Sequence, residues 1–170
     1  MMEIVKGDIT QQQVECIVNA ANTTLLGGGG VDGAIHRAAG PQLLEFCKKL
    51  NGAQTGEAKI TPGFRLHAKY VIHTPGPVWR GGVHNEPELL RLCYFNSMKL
   101  ALKNEIRTIA FPSISTGVYG FPFDTATRIA MSTIDTFIRE NPGAPDVFLV
   151  AFSDKDFSTM QKIFADMFSV

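Results

Sequence analysis

Two short runs, Thr108-Ile109-Ala110-Phe111 and Val147-Phe148-Leu149-Val150, are continuously apolar, and they constrain the fold more than any other feature. A strand with one wet face alternates apolar and polar positions, so an unbroken run of this length fits a strand covered on both faces. Such strands need helices on each side of their sheet. The remaining sequence can supply them, because short β-rich runs alternate with longer helix-like stretches and no internal repeat or low-complexity tract intervenes. The expected architecture is α/β, and residues 1–170 are the size of one domain.

The pattern predicts strands over residues 3–6, 15–19, 58–61, 70–73, 108–112 and 146–152, and helices over 33–50, 87–104, 124–140 and 154–168. Asn85 is placed to cap the second helix, with Pro87 in its first turn, where a missing N–H is harmless. Asn141-Pro142-Gly143 stops the third, and Ser153-Asp154-Lys155-Asp156 resembles a capping box at the start of the last. Strand, glycine loop and helix follow one another twice, around residues 27–33 and 117–120. In open α/β sheets ligands bind where such loops leave the carboxyl ends of strands, so any chemistry is expected there.

Charge narrows the possible ligands. Lysine plus arginine and aspartate plus glutamate number sixteen each, which gives no electrostatic footprint for duplex nucleic acid or an anionic membrane. A phosphate bound by this chain must be held by loop amides and helix ends. Cys16, Cys47 and Cys93 are odd in number and lack metal-ligand or redox spacing, and His67, His73 and His84 do not join them in one. The first eight residues lack the apolar run of a signal peptide, and a cytoplasmic location with reduced thiols is expected. No metal and no cofactor is expected.

Four consecutive glycines, Gly27-Gly28-Gly29-Gly30, lose more conformational freedom on folding than a purely structural turn would justify. They let backbone N–H groups approach a ligand. Gly28, Gly30 and Gly33 match a dinucleotide-binding spacing formally, but the strand ends too early and no acidic residue closes the next strand. No Gly-Lys-Ser/Thr follows, so this is not a Walker loop. The second loop, Ser113-Ile114-Ser115-Thr116-Gly117-Val118-Tyr119-Gly120, combines hydroxyls, unhindered amides and a following helix, a lysine-free anion nest. Two such loops on one crevice suit an elongated diphosphate. Asp32 and His36 lie four residues apart on one helical face, as a carboxylate–imidazole pair able to activate water or as a helix cap beside an inward histidine.

At this point the residues resemble a known family. Gly7-Asp8-Ile9-Thr10, Asn19-Ala20-Ala21-Asn22 with the run from Gly27 to His36, and Ser115-Thr116-Gly117-Val118-Tyr119-Gly120 resemble the macrodomain family, and its hydrolytic MacroD-type branch in particular. The resemblance runs in register over nearly the whole chain. It implies a three-layer α/β/α sandwich on a mixed sheet, with ADP-ribose lying across the strand ends. It implies that the Asp8 carboxylate accepts from the adenine amino group, that the Ile9 N–H serves a ring nitrogen, and that Phe152 packs on adenine rather than in the core. Gly27, Gly28, Gly29, Gly30 and Val31 would hold the diphosphate and distal ribose together with Ser115, Thr116, Gly117, Val118 and Tyr119. Asn19, Asn22, Asp32 and Tyr119 would surround that ribose.

The implied catalytic set is Asn22, Asp32 and His36, with water activated either by Asp32 and His36 or by the phosphate of the bound substrate. The implied substrates are O-acetyl-ADP-ribose and mono-ADP-ribosylated acidic side chains of proteins. Both carry an ester at the distal ribose. The alternative is a reader that binds ADP-ribose without turnover.

Overall fold

Strands form where the β-rich runs fall, and six of them join one sheet. The computed structural model describes residues 1–169. Its strands are β1 (Met2–Lys6), β2 (Cys16–Ala21), β3 (Lys59–Pro62), β4 (Tyr70–Pro75), β5 (Thr108–Phe111) and β6 (Asp146–Ala151), in the order β1-β6-β5-β2-β4-β3. Every neighbouring pair is parallel except β3 with β4, so the sheet is mixed. Parallel neighbours require crossovers. The helices that cross between strands are α1 (Gly30–Ala39), α2 (Pro41–Lys48), α3 (Glu86–Lys103) and α4 (Phe123–Glu140), and α5 (Asp154–Phe168) follows the last strand.

The apolar runs lie where their composition places them. Along β5, Ile109 and Phe111 join a core cluster with α3, α4 and α5, whereas Ala110 joins a second cluster with α1 and α2. β6 divides in the same way, with Val147 and Leu149 on one side and Val150 on the other. Helices on both faces make the three-layer α/β/α sandwich. Ile109 and Phe111 are fully buried, and each such side chain contributes about 1.5–3 kcal/mol by leaving water. Among the described residues, no helix is long and apolar enough to cross a membrane.

Three local expectations need correction. The stretch expected as one helix over residues 33–50 is two, because Gly40 takes φ +87° and Pro41 then has no N–H to continue the ladder. α1 also starts earlier, at Gly30, so Asp32 sits inside the first turn rather than at the N-cap. Asn85 does not cap α3 with its side chain; it adopts φ +67°, and the carboxylate of the neighbouring Glu86 ties the preceding loop rather than the helix end. Ser153 caps α5 by accepting from the Asp156 N–H at 3.1 Å, as its capping-box pattern suggests.

Glu86 is 1% exposed and accepts three backbone N–H groups, from Arg80 (2.8 Å), Gly82 (2.9 Å) and His84 (2.6 Å). Burial disfavours its charge, but the converging backbone donors outweigh burial and hold its pKa down to about 2. The loop it ties is packed on the core through Trp79, whose ring lies 4.6 Å from that of Phe121. Because the folded pKa lies below the ordinary 4.5, this stabilisation is complete above pH 4.5 and is lost as pH falls towards 2. Glu86→Gln is therefore expected to melt at a lower temperature than the parent at neutral pH. The gap between the two should close between pH 4.5 and 2. Circular-dichroism melts across that range check it, and a pH-independent gap would refute the assignment.

Candidate functional site

Parallel pairing brings the carboxyl ends of β1, β6, β5, β2 and β4 to one edge of the sheet. The segments leaving those ends are Gly7-Asp8, Phe152, the loop after Phe111, the loop after Ala21, and Gly76. Together they line a cleft of about 720 Å³. Asp8, Ile9, Asn22, Gly28, Gly29, Gly30, Val31, Asp32, all five residues from Ser115 to Tyr119, and Phe152 contribute to its wall. Asn19, Gly27 and His36 do not. A broader, open depression between the N-terminal end of α3 and α4, lined in part by Val83, Pro87 and Arg128, lies away from both glycine loops.

The first loop owes its shape to a few contacts. Gly27 and Gly30 take φ +89° and +57°, where a Cβ is strained, whereas Gly28 and Gly29 have ordinary φ. Packing demands a further glycine at the start of α1, since a Cβ on Gly33 would lie 2.6 Å from the Gly28 carbonyl oxygen. Asn22 stitches the loop from within. Its Nδ2 donates to the Gly27 carbonyl at 3.0 Å, and its Oδ1 accepts from the Thr24 N–H, the Thr24 hydroxyl and the Leu25 N–H. Asn22 thus lines the cleft with its polar atoms already engaged in the loop.

Asp32 is 5% exposed. Its Oδ1 accepts from Asn19 Nδ2 at 2.9 Å and lies 3.5 Å from His36 Nε2. Its Oδ2 is the oxygen nearest Gly28, 3.2 Å from where a Cβ there would sit. One oxygen is anchored behind the wall and the other is on the cleft side. His36 is packed under Gly27, with ring atoms 3.7 Å from a notional Cβ, so it can reach the cleft only through Asp32. Asn19, expected beside a ligand, is fully buried within β2, because that strand runs two residues further than its composition suggests.

The second loop is shaped by Ser115, a non-glycine residue at φ +67° whose carbonyl accepts from the Phe121 N–H at 3.0 Å. The Ser115 hydroxyl is buried and has no hydrogen-bond partner among the described residues. Gly76 makes room for it: a Cβ there would lie 2.2 Å from Ser115 Oγ. Thr116 Oγ1 donates to Ser113 Oγ at 2.8 Å, and the Tyr119 carbonyl accepts from the Trp79 N–H at 2.8 Å. Among the described residues, no hydrogen bond takes up the backbone N–H of Gly28, Gly29, Thr116, Gly117 or Val118. α1 begins at Gly30 and α4 at Phe123, neither with a side-chain cap, so both helix ends keep donors available at the cleft.

The lining contains three carboxylates, Asp8, Asp32 and Asp156, and no lysine or arginine. Asp8 caps a single 3-10 turn, its Oδ1 accepting from the Thr10 N–H and hydroxyl at 2.8 and 2.7 Å, which fixes the carboxylate and leaves Oδ2 for another donor. Phe152 is 80% exposed, so it is not a core residue. No group of three or more His, Cys, Asp or Glu residues is assembled for a metal ion among the described residues. The reading from sequence did not place Gly76, Phe123, Asp156 or Met160 in the lining. Of these, Gly76 alone carried a signal, as a glycine between two prolines at the end of a strand. Such an arrangement can accept a diphosphate on its amides, a base against Phe152, and a hydroxylated ring beside Asp32.

Comparison with known proteins agrees. The Macro domain family model matches residues 18–130. The chain is 53% identical over 158 residues to an O-acetyl-ADP-ribose deacetylase of Salmonella newport, covering 91% of this chain and 88% of that protein. It is 52% identical over 165 residues to the ADP-ribose glycohydrolase MACROD2 of Xenopus laevis, covering 96% of this chain and 40% of that longer protein. A solved structure of an Oceanobacillus iheyensis macrodomain variant with ADPR superposes with a TM-score of 0.94 at 46% identity, covering 98% of this chain and 92% of that one. On the family match and on relatives more than half identical, this chain belongs to the Macro domain family.

Proposed function

We propose that this protein binds ADP-ribose in the strand-end cleft and hydrolyses an ester bond at the distal ribose. Its substrates are O-acetyl-ADP-ribose and mono-ADP-ribosylated acidic side chains. One observation carries the catalytic half of this reading: Asp32 is a nearly buried carboxylate with one oxygen anchored and the other on the side of the cleft. A reader of ADP-ribose needs phosphate donors and an adenine pocket, and has no use for such a group. The names of the relatives, a deacetylase and a glycohydrolase, support the same reaction class.

The roles we assign are those the family resemblance implies, and the geometry supports them. Asp8 Oδ2 accepts from the adenine amino group, the Ile9 N–H serves the ring, and Phe152 covers its face. The amides of residues 28–30 and 115–118, with the N-termini of α1 and α4, hold the diphosphate. Asp32 binds a water through Oδ2, and that water attacks the ester carbonyl carbon. Asp32 takes a proton from that water as it attacks, the carbon–oxygen bond to the ribose then breaks, and the same proton passes to the departing ribose oxygen as the acid is released. Asn22 keeps the loop in the shape that places the ribose beside Asp32, and His36 supports Asp32 from behind. We place the protein in the cytoplasm, in keeping with three buried, unpaired thiols, and read residues 1–170 as one functional unit.

Three outcomes are expected. ADP-ribose should bind with a micromolar dissociation constant, about −8 kcal/mol, and more tightly than ADP; Asp8→Ala should weaken it by about 1–3 kcal/mol. Isothermal titration measures both, and absence of binding by the parent would overturn the reading. Gly117→Glu should abolish binding at unchanged melting temperature, because a Cβ there meets nothing within 4 Å and the new carboxylate enters the phosphate site. Normal binding by that variant would put the diphosphate elsewhere. Asp32→Ala should slow acetate release from O-acetyl-ADP-ribose about a hundredfold, or about 2.7 kcal/mol, with a much smaller loss of ADP-ribose affinity. Unchanged turnover would leave a binding module.

A further inference from the structure

Behind the cleft wall lies a row of buried polar side chains that the chemistry above does not use: Thr61 on β3, His73 on β4 and Asn19 on β2. They are 2%, 0% and 0% exposed, and β2 and β4 pair so that Asn19 stands opposite His73. The direction of each hydrogen bond follows by elimination. The Asp32 carboxylate only accepts, so the amide nitrogen of Asn19 must face it, at 2.9 Å. The same nitrogen lies 3.1 Å from His73 Nδ1, and an amide nitrogen never accepts, so Nδ1 is the bare nitrogen of the ring. The ring proton is therefore on Nε2, which donates to Thr61 Oγ1 at 3.0 Å, and the Thr61 hydroxyl donates to the Pro62 carbonyl at 3.1 Å. Burial, and then the nearby His36, push the pKa of His73 down to about 3, so the ring stays neutral.

The amide of Asn19 has nothing else to hold it. Its Oδ1 is buried without a hydrogen-bond partner among the described residues, so its orientation depends on the two acceptors that its nitrogen meets. If His73 lost its acceptor, one amide proton would be buried unpaired and a single bond, to Asp32 itself, would be left to set the amide's orientation. Asp32, whose anchored oxygen also lies 3.5 Å from His36 Nε2, would then be aimed less firmly at the cleft.

We infer that His73 is a positioning residue for hydrolysis: held by Thr61 in its Nε2–H tautomer, it orients Asn19, which in turn aims Asp32 at the cleft. The inference rests on Asp32 being the group that acts at the distal ribose. It assigns a task to a histidine whose sequence context suggests only a structural or surface residue.

The test measures acetate release from O-acetyl-ADP-ribose by the intact chain, with ADP-ribose affinity and melting temperature recorded for every variant. His73→Leu should lower kcat roughly ten- to a hundredfold, the scale on which a small misplacement of a reacting group acts, with KM and ADP-ribose affinity nearly unchanged. His73→Asn should recover most of that loss, because its side-chain oxygen can take the place of Nδ1 as acceptor. Combined with Asp32→Ala, His73→Leu should cause no further loss, since both act through one carboxylate. Should His73→Leu fold poorly, Thr61→Val serves instead: it frees the ring to take the other tautomer, and kcat should fall while KM holds. Multiplicative losses with Asp32→Ala, normal kcat in both His73→Leu and Thr61→Val, or no rescue by folded His73→Asn would each overturn the inference. If Asp32→Ala alone kept full turnover, the proposed role of Asp32 would fail first.

Discussion

Everything at the cleft depends on the parallel pairing of β1, β6, β5, β2 and β4. A parallel strand cannot turn straight back into its neighbour; the chain must cross over a face and re-enter at the same end. Each crossover therefore begins at the same edge of the sheet. Five carboxyl ends deliver five segments there, and the two followed directly by α1 and α4 bring helix N-termini with them. The ligand surface is thus a by-product of strand polarity. Its shape is then set by a few short contacts: Gly33 against the Gly28 carbonyl, Gly76 beneath Ser115, and the Asn22 amide across its own loop.

A cleft with three carboxylates and no lysine or arginine is an unusual place for a diphosphate. The charge balance of the whole chain makes backbone donors the available means of holding one. Unspent N–H groups on both loops, reinforced by two helix ends, present partial positive charge without a flexible cation to order. The carboxylates can then do other work. Asp8 is fixed by Thr10 and Asp32 is anchored by Asn19, and on the proposed reading the first accepts from a base and the second acts at a ribose.

How much of this was legible in the sequence depended on whether a signal was local. Continuous apolar runs identified β5 and β6 as central because a strand covered on both faces has no wet position to mark. Ser153 capped α5 as its hydroxyl and spacing indicate. Gly40-Pro41 was passed over inside a helical pattern, although a left-handed glycine before proline ends a helix for purely local reasons. The loop residues Gly28–Val31 and Ser115–Tyr119 were readable because amide exposure leaves a glycine- and serine-rich trace. Asn19 was not, since whether an asparagine touches ligand or lies behind it depends on where β2 ends. Phe152 stood open between core and rim, because the last residue of a strand carries no mark of its burial. His73 was least legible: its partner is fixed by register across two strands far apart in sequence.

The two ends of the sheet have a consequence of their own. An unpaired strand edge is a template on which other chains can stack, and fibrillar assembly starts from such edges. Here one edge is β3, only four residues long and ending in Pro62, which has no N–H to offer a further strand. The other is β1, which carries the exposed charges Glu3 and Lys6 at its margins. The single antiparallel strand thus does more than make the sheet mixed. By ending the parallel series in a short, proline-closed strip, it gives a fold with a wide apolar interior little from which an aggregate could grow.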